Sequence, residues 1–182
     1  MNEKYTFELT SQDPQRDLPG RLIIGQRENE SLAHVALKLM GFVLFYRERL
    51  QIEAKLHTDH IPFEPDLIQF DYQLRPRFWG ECGECGVNKL HKLAVKAPEA
   101  EIWIIKRTPA AAAHLYAAMA KGDLRRNRYG IVGLDGEMFE EICGLMKSRN
   151  EMLWVNGEFD PPTMQFDFNG LWFDAPFTVL KF

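Results

Sequence analysis

The spacing of apolar and polar residues predicts alternating strands and helices along the first part of the chain. Residues 5–11 alternate apolar and polar side chains, which is typical of a strand, and residues 21–26 form a short apolar run that predicts a second strand. From Asn29, a plausible N-cap, to about Arg49, apolar residues recur at steps of three and four and predict a long helix. The apolar band of this helix is broad, so we expect both of its sides to be covered.

The middle of the chain carries two short strand patterns and then a regular alternation of helix and strand. Residues 66–73 and 76–82 predict neighbouring strands, and helical spacing follows between Val87 and Ala94. Residues 100–107 form a continuous apolar run, typical of a strand buried on both faces. Thr108-Pro109 ahead of an alanine-rich segment predicts a capped helix that stops at Gly122. A strand at 128–134 and a helix capped by Asp135 complete this part.

The tail is predicted to be rich in β-structure. Alternating runs flank Asn169-Gly170, a pair that favours a type I′ hairpin turn. The element order predicts an α/β fold with a mixed central β-sheet flanked by helices. We expect a single domain over residues 1–182, with a core at about 25–150 and a β-rich tail at about 151–182.

Composition and charge narrow the class of protein. The chain has 182 residues, of which 46% are apolar and 26% charged, so it can bury a core. Its net charge of -4 argues against a protein that coats nucleic acid, but not against an enzyme with a local basic cleft. The first residues lack an apolar signal region, and the longest apolar stretch is too short to cross a bilayer. With only three cysteines, we expect a cytoplasmic protein without membrane association.

Asp71 and Glu81 are the first candidates for chemistry, because they lie on two strands that are predicted to be neighbours. If these strands form a hairpin, the two carboxylates can lie side by side. Paired carboxylates either share a proton or bind a divalent cation, and an oxygen-only site suits Mg²⁺ or Mn²⁺. Lysines of the following helix would supply positive charge to a phosphate. The alternative is that both acids are solvated residues at the edge of the sheet.

Cys82 and Cys85 form a C-x-x-C motif. Zinc needs about four ligands, and His57, His60 and His91 lie on different segments, so nothing in the sequence fixes such a geometry. A redox pair is a further alternative. The interpretation we favour is a pair of ordinary buried thiols, with zinc not expected.

Three arginines, Arg125, Arg126 and Arg128, lie within four residues. They are candidates for contacts with the phosphates of a substrate. The alternative, which this pattern favours, is a solvated loop.

Several segments, in order, resemble the YaeQ family of small bacterial proteins. The resemblance begins with the YTFEL strand and with Glu30, which opens a helix that ends FVLFYRERL. It continues through a Glu64-Pro65 loop to the segment WGECG at 79–83, which looks like the family's W-I-E-x-G, and to a helix that bears Lys89 and Lys92. It extends from about residue 5 to residue 180 and is firmest over 30–93.

The resemblance implies a fold similar to the PD-(D/E)XK nuclease superfamily, in which three acids hold one or two divalent metals. Glu30 matches the helical acid and Glu81 the acid of the E-x-K motif. Asp71 lies closest to the strand aspartate, with Asp66 as its substitute. The implied metal ligands are therefore Glu30, Asp71 and Glu81, and the implied cofactor is Mg²⁺ or Mn²⁺.

The chain departs from the superfamily pattern at the lysine, because position 83 is a glycine. Lys89 or Lys92 of the next helix would then have to reach back to the acids. Gly80, where the family usually has isoleucine, and the cysteine pair are further departures. Two functions follow as hypotheses. One is a metal-dependent nuclease acting on DNA or RNA, and the other is an inactive module of the same fold that binds nucleic acid or a protein.

Overall fold

The structure is a computed structural model that describes residues 2–182. Within these residues it has four helices, α1 (Leu32–Leu44), α2 (Val87–Lys96), α3 (Pro109–Lys121) and α4 (Gly136–Leu145). The strands are β1 (Glu3–Ser11), β2 (Arg21–Gln26), β3 (Gln51–Ile52), β4 (Leu67–Phe70), β5 (Pro76–Cys82), β6 (Glu101–Lys106), β7 (Tyr129–Gly133), β8 (Arg149–Phe159), β9 (Pro162–Phe168), β10 (Leu171–Pro176) and β11 (Thr178–Lys181). None of the helices in the described residues has the length and apolar character needed to cross a membrane.

A six-stranded mixed sheet positions the candidate site. Its strand order is β11-β7-β6-β5-β4-β3, in which β5, β6 and β7 are parallel and the other neighbours antiparallel. Helices α2 and α3 connect the parallel strands and pack on one face, where their apolar residues share a core with Trp79 and Ile104. The three parallel strands end at the same edge of the sheet, which we call the carboxyl edge. The opposite edge, where they begin, is the amino edge.

A second, five-stranded sheet covers the other side of α1. Its order is β10-β9-β8-β1-β2, and β1 runs parallel to β8. Residues of both sheets, α1 and α4 form one core cluster. Helix α1 is therefore enclosed on both sides, and its residues from Val35 to Leu44 are all buried. This confirms the expectation from its broad apolar band.

The predicted α/β class is confirmed, and the mixed sheet is one of two. The β-rich tail is not a separate layer, because β8, β9 and β10 join β1 and β2 while β11 returns to pair with β7. The hairpin at Asn169-Gly170 is confirmed, with φ angles of 51° and 87° that a type I′ turn requires.

Helix caps were predicted well at two of three positions. Thr108 accepts a hydrogen bond from the Ala111 amide (3.0 Å) and Asp135 from the Met138 amide (3.0 Å), as expected of N-caps. The cap of α1 is Ser31, not Asn29, and this helix ends at Leu44 rather than near Arg49. Strand β4 is also shorter than the predicted 66–73.

Candidate active site

Asp66 and Glu81 come together at the carboxyl edge. Strands β4 and β5 are antiparallel, and Leu67 lies opposite Gly80. The residues one step outward, Asp66 and Glu81, therefore lie at the same level of the ladder. Asp66 Oδ2 also accepts a hydrogen bond from the amide of Cys82 (2.7 Å), which fixes its carboxylate at the end of β5.

Glu81 is a buried carboxyl group with a cation beside it. Its side chain is 5% exposed, and its Oε1 accepts a hydrogen bond from Trp79 Nε1 (2.8 Å) and lies 2.8 Å from Lys89 Nζ. Burial raises the pKa of Glu81, and although Lys89 and the Trp79 indole oppose this, the net shift is upward, with a further contribution from the charge of Asp66. A carboxyl group whose pKa is raised by burial beside a charged partner, at the end of a strand, is a candidate functional group.

Helix α1 adds a fully buried lysine to the cluster. Lys38 has no exposed surface, contacts the carboxylate of Glu30 and lies 2.7 Å from Glu53 Oε1. Glu30 is also tied down by the Arg27 amide, which donates to its Oε2 (2.9 Å). A buried charge is tolerated only when it is paired, and here one lysine neutralises part of a two-carboxylate pocket.

His34 connects this pocket to the acids of the sheet. Its Nδ1 lies 2.6 Å from Glu30 Oε1, and its Nε2 lies 3.5 Å from Asp66 Oδ1. Within residues 2–182 the buried Nε2 has no hydrogen-bond partner that meets the usual geometry. The nearby Asp66 carboxylate raises the pKa of His34 against the opposing effect of burial. Sequence patterns gave no reason to select His34, Lys38 or Glu53.

Lys106 is a further site residue that the sequence did not reveal. Strands β5 and β6 are parallel, with Cys82 beside Ile105, so Gly83 and Lys106 follow at the same level. Lys106 is 8% exposed, and its Nζ donates to the carbonyl of Gly83 (2.8 Å). A lysine therefore lies next to position 83, delivered by the neighbouring strand.

The structure corrects the prediction that Asp71 and Glu81 lie side by side. Asp71 is in the turn between β4 and β5, at the opposite end of β5 from Glu81. Its carboxylate accepts hydrogen bonds from the amides of Gln73 and Arg75 and from the Arg75 guanidinium, and these interactions lower its pKa. Asp71 holds the turn in shape, and Asp66, the substitute, occupies the place beside Glu81.

Of the lysines and arginines predicted for the site, only Lys89 lies beside the acids. Lys89 reaches Glu81, whereas Lys92 is exposed on α2 and forms no ion pair with any residue from 2 to 182. The arginines at 125, 126 and 128 precede β7 and lie at the amino edge, away from the acids. Arg128 donates to the carbonyls of Ala94 (2.8 Å) and Ala97 (3.0 Å) and so caps the end of α2.

The three cysteines are free thiols. Burial raises the pKa of Cys82 well above its usual value and that of Cys85 to about 12, so both stay protonated at neutral pH. Within residues 2–182, no group of three or more His, Cys, Asp or Glu side chains is arranged to hold a metal ion. The predicted set of Glu30, Asp71 and Glu81 is therefore not assembled as one ligand group.

The donor set does fit a hard cation held by two carboxylates. Mg²⁺ is commonly bound by one or two carboxylates, with waters and substrate oxygens completing its octahedron. Asp66 Oδ1 and Glu81 Oε2 accept no hydrogen bond within the described residues, and both carboxylates lie at the same strand end. These two residues could hold such an ion, whereas Glu30 is already engaged by Lys38 and His34.

Glu81→Gln is expected to keep the folded state intact, because glutamine retains an acceptor for Trp79. Glu81→Ala removes that acceptor from a buried indole and should cost about 1–3 kcal/mol. Since the pKa of Glu81 is raised on folding, its ionisation lowers wild-type stability as pH rises above the ordinary carboxyl range. The stability of Glu81→Gln relative to wild type should therefore increase with pH, as urea unfolding at several pH values will show. If the difference in unfolding free energy between Glu81→Gln and wild type does not change with pH, the pKa of Glu81 is not raised in the folded state.

Together these features define a mixed α/β protein with carboxylates and lysines gathered at the carboxyl edge of three parallel strands. A family model described as YaeQ protein matches residues 3–155. The chain therefore belongs to the YaeQ family, which confirms the resemblance found in its sequence.

Solved structures of the same family share the fold. The YaeQ protein from Xanthomonas axonopodis pv. citri superposes with a TM-score of 0.77 at 21% identity, over 100% of this chain and 99% of the other. The YaeQ protein from Pseudomonas syringae gives a TM-score of 0.76 at 16% identity, over 100% and 97%. No curated protein matches the chain. At these identities the structures support the fold alone.

Proposed function

We propose that the carboxyl-edge cluster is the active site of a divalent-metal-dependent hydrolase that cleaves phosphodiester bonds in nucleic acid. The observation that carries the proposal is the pairing of Asp66 and Glu81 on neighbouring strands, with Lys89 Nζ 2.8 Å from Glu81. Two carboxylates beside a lysine supply cation ligands and a positive charge for a phosphate at one point.

Each residue has a distinct part in this proposal. Asp66 and Glu81 would hold Mg²⁺ or Mn²⁺, which when bound activates a water and stabilises charge on a phosphate oxygen. Lys89 and Lys106 would face the phosphate, since both ammonium groups lie at the carboxyl edge. Lys38 and His34 are positioning residues in this proposal, because Lys38 contacts Glu30 and His34 lies between Glu30 and Asp66.

The test is cleavage of labelled single- and double-stranded DNA and RNA with Mg²⁺ or Mn²⁺. Glu81→Gln and Asp66→Asn should each lower the rate about 100-fold or more, because several kcal/mol of transition-state stabilisation depend on the metal. Asp71→Asn is the matched control, since it removes the same charge at the far end of β5, and it should retain activity. Equal cleavage by all four proteins would identify a contaminant and would count against the proposal.

The second candidate is a module that binds nucleic acid or a protein without cleaving it. It is favoured by Gly83 in place of the lysine of the E-x-K motif and by the engagement of Glu30 with Lys38. Under this hypothesis, binding persists in EDTA and in Glu81→Gln, while none of the nucleic acids is cleaved.

A further inference from the structure

The amino edge carries an excess of positive charge, although the whole chain has a net charge of -4. Five exposed cations of this edge have no acidic partner within 4.0 Å among residues 2–182, namely Arg49, Arg77, Arg125, Arg126 and Lys181. Three acids of this edge are already paired, Glu101 with Arg47 (3.0 Å) and both Asp71 and Glu99 with Arg75 (2.9 and 3.4 Å). Glu48 and Asp123 have no cationic partner within 4.0 Å in the described part of the chain. These two acids are fewer than the five cations without an acidic partner, so the edge is electropositive.

Three of these cations are held in place by aromatic rings. The Arg49 guanidinium lies 4.5 Å from the centre of the Tyr72 ring, Arg126 lies 4.0 Å from that of Phe182, and Lys181 lies 4.1 Å from that of Trp103. Such contacts are attractive and restrict the motion of long side chains. The cations are therefore ordered before any ligand arrives, which lowers the entropy lost on binding.

Tyr72 is an exposed aromatic residue at the same edge. It lies at the tip of the turn between β4 and β5, and 86% of its surface is exposed, so it adds little to the core. Arg49 covers one face of its ring, and the other face is available for stacking. Arg49 has a φ of 66°, in the left-handed region that few non-glycine residues adopt. The backbone thus holds this pair together at some conformational cost.

We propose that the amino edge binds single-stranded nucleic acid, with the arginines and Lys181 on phosphates and Tyr72 stacked on a base. Cations interleaved with an open aromatic face are the combination that such ligands use. An acidic protein segment would use the cations but would leave Tyr72 without a base to stack on. This surface does not depend on the proposed hydrolase, because the acids lie at the other end of the parallel strands.

The test measures the binding of labelled single-stranded DNA and RNA of about 20 nucleotides by fluorescence anisotropy, in EDTA and at several salt concentrations. The triple variant Arg49→Asn, Arg126→Gln, Lys181→Gln should bind at least about tenfold more weakly, and the slope of log K against log salt should fall by about 2. Tyr72→Ala should weaken binding by about fivefold or more. Asparagine is chosen at position 49 because it adopts the left-handed region readily.

A matched control removes the same charge from the five-stranded sheet and from the segment just before β8. Lys4→Gln, Lys147→Gln, Arg149→Gln changes three exposed cations without acidic partners in the described residues and should bind within about twofold of wild type. Equal weakening by both triple variants, undetectable binding by wild type, or equally tight binding of polyglutamate would each overturn the proposal. Thermal unfolding of every variant verifies the fold. Because EDTA prevents metal-dependent cleavage, this experiment tests binding at the amino edge alone. The hydrolase proposal is tested by the cleavage measurement with Mg²⁺ or Mn²⁺.

Discussion

Lys38→Met is expected to lower the free energy of unfolding by about 3–5 kcal/mol, the usual effect of removing one partner of a buried ion pair. Lys38 is fully buried and contacts the carboxylates of Glu30 and Glu53. Methionine has a similar length but no charge, so the packing volume is kept while the acids lose the one lysine that contacts both of them. Urea unfolding near neutral pH measures the loss. A change below about 1 kcal/mol would mean that water reaches this pocket.

The control for Lys38→Met also removes the two carboxylate charges that would be left without this lysine, those of Glu30 and Glu53. The triple variant Lys38→Met, Glu30→Gln, Glu53→Gln has no uncompensated charge in the pocket and should recover at least half of the lost stability. His34 still faces the amide at position 30, so the helix start keeps a hydrogen-bonding partner. If the triple variant is no more stable than the single one, the loss arises from packing and not from electrostatics.

The local signals in the sequence were reliable where one segment decides the structure. Thr108 and Asp135 cap their helices because a short polar side chain reaches the free amides of the first turn. Asn169-Gly170 forms its turn because both residues adopt positive φ. These features depend on neighbours within a few residues, which is why the pattern of strands and helices was predictable.

The pairing of distant strands was not predictable in the same way. Strands β1 and β8 are parallel neighbours although more than a hundred residues separate them, and this contact creates the second sheet. The pattern along either strand shows only that one face is buried. A single central sheet and two sheets around α1 are therefore equally consistent with the apolar spacing.

The register of the strands determines which side chains come together in the candidate site. Asp66 and Asp71 flank the same short strand, and only the pairing of Leu67 with Gly80 selects Asp66 as the neighbour of Glu81. Lys106 was missed for the same reason, because the sequence places it more than twenty residues after Gly83 while the β5–β6 ladder places it alongside. Glu81 and Lys89 were predictable, since they lie close together in sequence and within one strand–helix unit.

Arg16→Met is expected to cost about 3–5 kcal/mol of unfolding free energy, because Arg16 joins three parts of the structure in a buried site. Its guanidinium pairs with Asp13, donates twice to the Leu44 carbonyl at the end of α1 (3.1 and 3.0 Å) and donates to the Gly157 carbonyl of β8 (2.9 Å). The side chains of Arg16 and Asp13 are 7% and 4% exposed. Methionine would leave the buried Asp13 carboxylate without its cation and would remove the Arg16 donor from the carbonyls of Leu44 and Gly157.

The pH dependence of this loss separates the ion pair from packing. Burial alone would raise the pKa of Asp13, but hydrogen bonds from the Gln15 amide, Arg16 and Trp154 outweigh it and lower the pKa. The stability that ionised Asp13 contributes is therefore complete above the ordinary carboxyl pKa and is lost as pH falls through the lower folded-state pKa. The deficit of Arg16→Met should be largest near neutral pH and shrink in acid, and Asp13→Asn in the same background should restore part of it. A deficit that is constant with pH would assign the role of Arg16 to packing alone.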